Sequence, residues 1–226
     1  LNEFHYLFRS RHYAHGGAYS GASENGTCAT LHTMAVNGYG TASPDTRLEL
    51  NFYTGRVEVD GKYVTLDDGT PLQYMPLAVE QNLTASKYIE TAGARMKKYE
   101  VDRTAYSDGR MPDNDIVLYR YADVLLMKAE AKVRNGESGD EQLNAVRSRA
   151  GMPSLAATLA NILDERLLEL VWEGWRRQDM IRFGTYCEPY DIHTPSAADK
   201  KGYTIVFPIP EKARELNPNL AQNPGY

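Results

Sequence analysis

The sequence is poor in cysteine and has no long uninterrupted run of apolar residues. Among its 226 residues the only cysteines are Cys28 and Cys187. The sequence does not decide between one disulfide and two free thiols. No stretch approaches the roughly 20 apolar residues that a membrane-crossing helix needs. Residues 1–5 contain neither an initiator methionine nor a signal peptide, so we expect an excised or truncated chain.

An excess of positive charge is also absent. The formal net charge is -5, and short basic pairs such as Arg176-Arg177 lie among acidic residues. A nucleic-acid-binding protein normally carries a basic stripe that neutralises phosphates. We therefore expect no nucleic-acid partner.

The motifs of common enzyme and cofactor sites are missing as well. The chain has no Gly-rich phosphate loop, no GxSxG elbow and no Cys/His pair with catalytic spacing. Among its five histidines, His12 and His15 form the only close pair, and no cysteine or carboxylate completes a known ligand pattern. We expect neither a metal ion nor a cofactor.

Tyrosine, by contrast, is abundant, with 16 residues against 5 Phe and 2 Trp. A tyrosine ring has a flat apolar face and a hydroxyl group that needs a partner. Such rings suit ligands that are half apolar and half polar, such as sugars. They also fill shallow cores beneath loops, and for any single tyrosine this packing role is the more common one.

Residues 1–111 are expected to form a loop-rich half with one small β-hairpin. Gly, Tyr, Asn, Ser and Thr are frequent there, and long amphipathic periods are absent. Residues 56–59 and 62–66 alternate in character on either side of Asp60-Gly61, a pair typical of a type I′ turn. Long ordered loops in a compact domain usually carry function, so we expect the ligand on this half.

Residues 112–184 are expected to be helical. A first helix follows Pro112, with Asp113 or Asn114 as its cap, and its apolar stripe ends before Gly136. Its apolar residues recur every three or four positions, which places them on one face of a helix.

Two further helices follow in this region. The second is predicted to begin near Asp140 and to end at Gly151. The third is predicted as one long helix over residues 158–183 that stops at Gly184. Gly174, inside it, suggests close backbone packing or a bend.

Short connections between three helices predict an antiparallel bundle. Residues 185–226 are Pro-rich, and we expect an irregular tail that packs on the helices.

Four blocks along the helical half and the tail match the motifs of one known family. They read LYRYADVLLMKAEA (118–131), LNAVRSRAGMP (143–153), ILDER with EL, EGWR and DMIRFG (162–184), and FPIP with NPNLAQNPGY (207–226). These blocks, in this order, resemble the SusD/RagB family of outer-membrane nutrient-binding lipoproteins. Trp175 stands where the family often has His or another aromatic residue.

The resemblance implies a mainly α fold, an antiparallel bundle of the tetratricopeptide-like α-α superhelix type with long loops and a small β-hairpin. It implies non-catalytic binding of glycans or related nutrients at the cell surface. The expected partner is a SusC-like TonB-dependent outer-membrane transporter. The expected location is the outer membrane, with a lipid anchor in a missing N-terminal segment. Cys28 does not follow an apolar run, so it is not expected to carry the lipid.

A row of glutamates on the third predicted helix admits two interpretations. It could supply an acid–base pair, as in a glycosidase, or a structural ion-pair network. A glycosidase needs its carboxyls across a cleft, and neighbouring arginines would keep both ionised, so we predict the network and no catalysis. The predicted members are Glu165, Arg166, Glu169, Glu173, Arg176, Asp179 and Arg182.

The ligand is therefore expected in the loop-rich half. Composition and loop placement suggest aromatic rings that stack on a sugar beside polar side chains that bond its hydroxyls. The candidates are Tyr39, Tyr53, Tyr63 and Tyr74, with Asn37, Asp45 and Arg47 as polar partners. Two alternatives stay open: a protein–protein interaction module that serves mainly the transporter contact and, least favoured, a glycoside hydrolase.

Overall fold

The computed structural model describes residues 10–19, 23–104 and 114–226. The chain divides into two compact units, Leu1–Arg176 and Arg177–Tyr226. No helix within the described ranges is both long and apolar enough to cross a bilayer.

Three helices form the centre of the first unit. They are α4 (Tyr121–Arg134), α5 (Asp140–Arg149) and α6 (Leu159–Leu170), and each packs against the other two. Leu126, Leu143 and Ile162 are each 0% exposed, one from each helix. Burying a side chain of this size contributes about 1.5–3 kcal/mol, so these contacts hold the three helices together.

The helix α5 has the predicted bounds, and α6 begins where predicted. Gly151, just after α5, has φ +68°, a left-handed conformation that glycine adopts without strain. At the start of α6, the Thr158 side chain accepts a hydrogen bond from the Asn161 backbone N–H at 3.1 Å.

The first helix of this group starts later than predicted. Asp113 lies outside the described residues, and Asn114 donates to the Glu100 carbonyl at 3.1 Å and is not part of a helix. Arg120 is extended (φ -147°, ψ 163°), and α4 begins only at Tyr121. The guanidinium of Arg120 is held by carboxylates of α6 and the following turn, a long-range constraint that overrides the local capping signal.

The third predicted helix is interrupted, so the prediction of one continuous helix is wrong. The helix α6 ends at Leu170, and α7 (Arg176–Arg182) begins after a turn. In that turn Trp172 has φ +67° and Gly174 has φ +82°, and left-handed residues cannot continue a right-handed helix.

Two cations occupy the free carbonyls at the end of α6. Lys98 Nζ donates to the Glu169 carbonyl at 2.7 Å and to the Val171 carbonyl at 3.1 Å. Arg120 Nη2 donates to the same Glu169 carbonyl at 2.6 Å. A helix end that leaves carbonyls without partners is costly, and these donors remove that cost.

The loop-rich half contains the predicted hairpin. Strands β3 (Glu58–Val59) and β4 (Lys62–Tyr63) pair antiparallel. Asp60 (φ +51°) and Gly61 (φ +76°) both have the positive φ that a type I′ turn requires. The predicted hairpin and its turn are confirmed.

Four other short strands form two further antiparallel pairs. These are β1 (Phe52–Tyr53) with β6 (Arg95–Met96), and β2 (Gly55–Arg56) with β5 (Gln73–Tyr74).

This half also contains three helices of one to two turns that the sequence did not predict. They are α1 (Tyr13–Ala18), α2 (Leu31–Val36) and α3 (Leu48–Asn51). Local caps start the first two: the Ala14 N–H donates to His12 Nδ1, and the Thr33 N–H donates to Thr30 Oγ1. Such short helices have too few turns to produce a recognisable apolar period.

Two apolar clusters anchor the loops. The first contains Ala29, Met34, Leu48, Phe52 and Ala94. The second contains Val57, Val59, Val64, Leu72 and Tyr74. The loop-rich half therefore has a core of its own beneath the hairpin and the small sheets.

Both cysteines are free thiols, which decides the question that the sequence left open. Burial raises the pKa of the Cys28 thiol, although Arg95 opposes the rise. Gly93 has φ +78°, and a Cβ on it would lie 2.4 Å from Cys28 Sγ. Cys28 thus acts as a small packed side chain rather than a reactive thiolate.

The second unit contains the rest of α7 and short helices where an irregular tail was predicted. These are α8 (Ala197–Lys200), a 3-10 helix (Tyr203–Ile205) and α9 (Glu211–Leu216). A capping box of Ser196 and Asp199 starts α8. The packing of this tail on the helices, and the division at 111/112 and 184/185, stay predictions.

Candidate functional site

A buried arginine connects the loop after α2 to helix α6. Arg47 Nη1 donates to Glu165 Oε1 at 2.8 Å and to Glu169 Oε2 at 2.9 Å. Its Nε and Nη2 both donate to the Asp45 carboxylate at 2.8 Å. The side chains of all four residues are at most 6% exposed.

Glu169 and Glu173 bind further cations, and one of these, Arg120, bridges the two. Arg120 donates to Glu169 Oε1 at 2.6 Å and to Glu173 Oε2 at 2.8 Å. Arg149 reaches Glu169 at 2.7 Å from an exposed position, and Lys98 binds Glu173. The glutamates therefore stand in a chain of alternating charges.

The remaining predicted network residues also have partners. Arg166 Nη1 donates to Asp123 Oδ1 at 2.8 Å, and both side chains are 1% exposed. Arg176 Nη1 donates to the Leu163 carbonyl at 3.1 Å. In the second unit, Arg182 Nη2 donates to Asp179 Oδ1 at 2.9 Å.

The electrostatics of the network keep two of its acids, Glu169 and Asp45, ionised. Burial alone would raise the pKa of Glu169, but hydrogen bonds from Arg120 and Arg47 outweigh burial and hold that pKa below its ordinary value. The pKa of Asp45 is lowered in the same way, because the bonds from Arg47 outweigh burial. Neither acid can serve as a proton donor near neutral pH, which disfavours an acid–base role.

A cavity of about 260 Å³ with a mixed polar and apolar lining lies beside this network. It is bounded by the end of α2, the loop that follows, the end of α5 and one face of α6. We call it the Asn37 cavity. Its polar lining consists of Asn37, Ser43, Asp45, Asn161, Asp164 and the Arg147–Glu165 ion pair.

A second candidate surface lies over the hairpin. Tyr63 is 57% exposed, and the Arg56 guanidinium lies 4.9 Å from its ring centroid. At the hairpin turn, Arg103 donates twice to the Asp60 carboxylate, at 2.8 Å each, and lies 5.0 Å from the Tyr19 ring centroid.

Tyr19 and Tyr53 are half-buried against the second apolar cluster. The hydroxyls of Tyr19 and Tyr53 lie 3.4 Å apart, and Lys97 Nζ lies 5.5 Å from the Tyr53 ring centroid. Burial raises the pKa of Tyr53, so its hydroxyl stays protonated. We use the name tyrosine surface for the rings and cations around the hairpin, which are Tyr63 with Arg56 and, beside the turn, Tyr19 and Tyr53 with Lys97 and Arg103.

The seven predicted ligand residues do not form one surface. Asn37 and Asp45 line the cavity, and Arg47 is committed to the ion-pair network. Tyr39 is half-buried against the first apolar cluster. These positions offer little ring surface for stacking.

Tyr74 lies beneath the tyrosine surface and is 0% exposed. Its hydroxyl accepts a hydrogen bond from the His12 N–H at 2.8 Å and lies 3.0 Å from His15 Nδ1. Burial raises its pKa to about 12. Its ring is not available to a ligand in this conformation, so Tyr63 is the one exposed ring of the four predicted, and Tyr39 and Tyr53 are half-buried.

Sequence reasoning did not select eight residues of these two places: Tyr19, Ser43, Arg56, Lys97, Arg103, Arg147, Asn161 and Asp164. Arg147 and Asp164 lie in the family blocks quoted above, where they were not read as site residues, and the others belong to no motif. Some are brought into place by contacts distant in the chain, such as Arg103 with Asp60. Within the described residues, no group of three or more His, Cys, Asp or Glu side chains could hold a metal ion.

The fold belongs to the class of mainly helical proteins with small antiparallel sheets. A SusD superfamily protein from Bacteroides vulgatus superposes with a TM-score of 0.57 and 21% identity, over 87% of this chain and 44% of that protein. It has the same fold. The predicted tetratricopeptide-like, mainly α fold class is confirmed.

The SusD family model matches residues 33–226, and the chain belongs to the SusD family. The starch-binding protein SusD of Bacteroides thetaiotaomicron is 30% identical over 58% of this chain and 25% of its own length. The SusD-like protein P25 of Formosa agariphila is 36% identical over 50% of this chain and 25% of its own length. The chain thus spans about a quarter of the length of these relatives, and the predicted family is confirmed.

Proposed function

We propose that this chain is part of a protein that binds glycans or related nutrients at the cell surface without cleaving them. The observation that carries the proposal is the tyrosine surface, where the exposed Tyr63 ring and the partly exposed Tyr19 and Tyr53 rings lie among guanidinium and ammonium groups. Family membership and a relative named for starch binding support the same proposal.

The chemistry of this surface suits a sugar. A pyranose has an apolar C–H face that stacks on a tyrosine ring and hydroxyls that accept from Arg56, Lys97 or Arg103. An aromatic contact of this kind is worth about 0.5–1.5 kcal/mol beyond the area it buries. The rings lie on an open surface rather than in a deep pocket, so we expect modest affinity.

The wider role follows from the family alone. Under this proposal, the complete protein is an outer-membrane lipoprotein whose lipid anchor lies in a segment before this chain. It passes its ligand to a SusC-like TonB-dependent transporter. The full ion pairing of Glu165, Glu169 and Glu173 supports a binding role over a hydrolytic one.

Affinity electrophoresis of the chain in gels that contain soluble glycans, starch among them, tests the proposal. We expect retardation by at least one glycan, with no reducing sugar released on incubation. A chain that no glycan retards would overturn the binding proposal. Release of reducing sugar would overturn its non-catalytic part.

One observation favours a second candidate, a protein–protein contact. At the start of α4, Leu118 is 70% exposed, Tyr119 73% and Tyr121 74%, and the Tyr119 ring lies 5.7 Å from that of Trp175. A contiguous exposed apolar patch often marks an interaction surface. Loss of transporter binding on Tyr121→Ser, with glycan retardation intact, would assign the patch to this contact.

A further inference from the structure

The Asn37 cavity shares no residue with the tyrosine surface. Some polar side-chain atoms of its lining have no hydrogen-bond partner in the part of the chain that the structure describes. Asn37 is 1% exposed, and its Nδ2 donates to the Thr33 carbonyl at 2.8 Å. Its Oδ1 is buried and has no hydrogen-bond partner among the described residues. Rotating the amide would place this oxygen against the Thr33 carbonyl, so the hydrogen bond fixes its orientation. This oxygen is closed to solvent, so it lies beneath the wall of the cavity.

The carboxylates of the lining also differ in whether they have a cationic partner. The Asp45 carboxylate is held by Arg47, and Glu165 is held by Arg47 and by Arg147 at 2.6 Å. Asp164 is half-buried on α6, and its carboxylate has no hydrogen bond or ion pair with any described residue. One carboxylate of the cavity is therefore left without a positive partner, and a buried or half-buried charge gains most from a partner of opposite sign.

The size and the apolar walls limit the occupant. Pockets for drug-sized ligands occupy about 300–1,000 Å³, and this cavity of about 260 Å³ lies just below that range. Val36, Met152, Leu155 and Leu168 supply apolar wall. A single ring with an apolar face and a polar edge fits such a lining.

We propose that the Asn37 cavity binds a small cationic amine that carries hydroxyl groups and has the size of one sugar ring, as in a protonated 2-amino sugar. The ammonium group pairs with the Asp164 carboxylate. The guanidinium of Arg147, whose Nη2 has no hydrogen-bond partner in the described chain, donates to a ligand hydroxyl. The site goes beyond the proposed glycan binding, because it uses none of the tyrosine surface.

Titration calorimetry of the chain with glucosamine and with glucose tests the proposal. The two sugars differ only in the group at carbon 2, and only the amine carries a positive charge. We expect saturable binding of glucosamine that is about tenfold tighter than that of glucose, the size of one charge-assisted hydrogen bond. Asp164→Asn should reduce glucosamine affinity to that of glucose. The matched change Asp67→Asn, at an exposed carboxylate outside both sites, should leave it unchanged.

A second variant keeps the test independent of Asp164. Ser43 is exposed and lines the cavity, so Ser43→Trp should obstruct it and abolish binding of both sugars without disturbing the core. Equal binding of glucosamine and glucose, or unchanged glucosamine affinity in Asp164→Asn, would overturn the proposal. Tyr63→Ala separates the two sites: it should weaken retardation by a glycan and leave glucosamine affinity intact.

Discussion

Arg47 and Glu165 are 118 positions apart in the chain, yet Arg47 Nη1 donates to Glu165 Oε1 at 2.8 Å with both side chains buried. The contact joins the loop-rich half to the helices through a fully paired charge. Removal of the arginine would leave the carboxylates of Asp45, Glu165 and Glu169 with fewer cations. The stability of the first unit should therefore depend strongly on this one side chain.

We expect Arg47→Ala to lower the free energy of unfolding by about 3–5 kcal/mol, the usual cost of an unpaired buried charge. Arg149 binds the same Glu169 carboxylate but is 62% exposed, so Arg149→Ala should cost less than about 1 kcal/mol. Urea unfolding followed by circular dichroism measures both. Equal losses in the two variants would contradict the assigned role of Arg47.

The left-handed turn after α6 makes a second prediction. A Cβ on Gly174 would meet nothing within 4 Å, but its φ is +82°. Gly174→Ala should therefore destabilise the chain by about 1–2 kcal/mol through backbone strain alone. Gly17, in α1, also faces open space and does not have a left-handed φ, so Gly17→Ala should be neutral or stabilising by up to about 1 kcal/mol. Thermal unfolding of the two variants provides the comparison, and a neutral Gly174→Ala would rule out the strained turn.

His15 should make stability depend on pH. Burial, with the positive charges of Arg11 and His12, lowers its pKa to about 3. In the unfolded chain a histidine has a pKa of about 6.5, so between these values the unfolded state binds the additional proton. The free energy of unfolding should then fall as pH falls below about 6.5, with a contribution from His15 of about 2 kcal/mol by pH 5.

His15→Gln removes this titration and can keep a hydrogen bond to the Tyr74 hydroxyl. Urea unfolding at pH 7 and pH 5 should show a smaller difference in this variant than in the parent chain. His193→Gln, at a side chain 47% exposed, should keep the parent difference. If His15→Gln retains the full pH dependence, another group causes it. The lowered carboxyl pKa values of Asp45 and Glu169 act in a separate window, below about pH 4, where protonation removes their contribution.

The tyrosine surface makes a prediction for binding. Tyr63→Ala should weaken the affinity for a retained glycan by about threefold to tenfold, since one ring contact contributes about 0.5–1.5 kcal/mol. Tyr119→Ala removes a ring of similar exposure from the start of α4 and should leave glycan affinity unchanged. Calorimetric titration with the glycan measures both. A loss in Tyr119→Ala alone would move the site to the α4 patch.

Local signals were sufficient for several elements of the fold. The Asp60-Gly61 pair predicted the hairpin because its backbone conformation depends on these two residues themselves. Asp140 and Gly151 correctly bounded α5 for the same reason. The interruption after Leu170 depends on Lys98 and Arg120, which are distant in sequence, so Gly174 alone could indicate only a bend.

The candidate site was less predictable. Asn37, Asp45 and Arg47 were chosen as polar residues on a loop, and the structure brings them together, but the charge of Arg47 is shared with α6. Only a three-dimensional structure could reveal that the Asp164 side chain has no partner among residues 10–19, 23–104 and 114–226, while its neighbour Glu165 has two. Whether a polar side chain is free to bind a ligand depends on partners far along the chain. The periodicity of the sequence does not identify those partners.

The interruption between α6 and α7 also affects how this region tolerates changes in chain length. In a continuous helix, one inserted residue would rotate every following side chain by about 100° around the axis. Here residues 171–174 form a turn with two left-handed positions, so a change of length beyond Glu173 would not rotate α6, whereas one before it would displace the bonds of Glu173 to Lys98 and Arg120. The angular register of Glu165 and Glu169 is therefore set independently of that of Asp179 and Arg182.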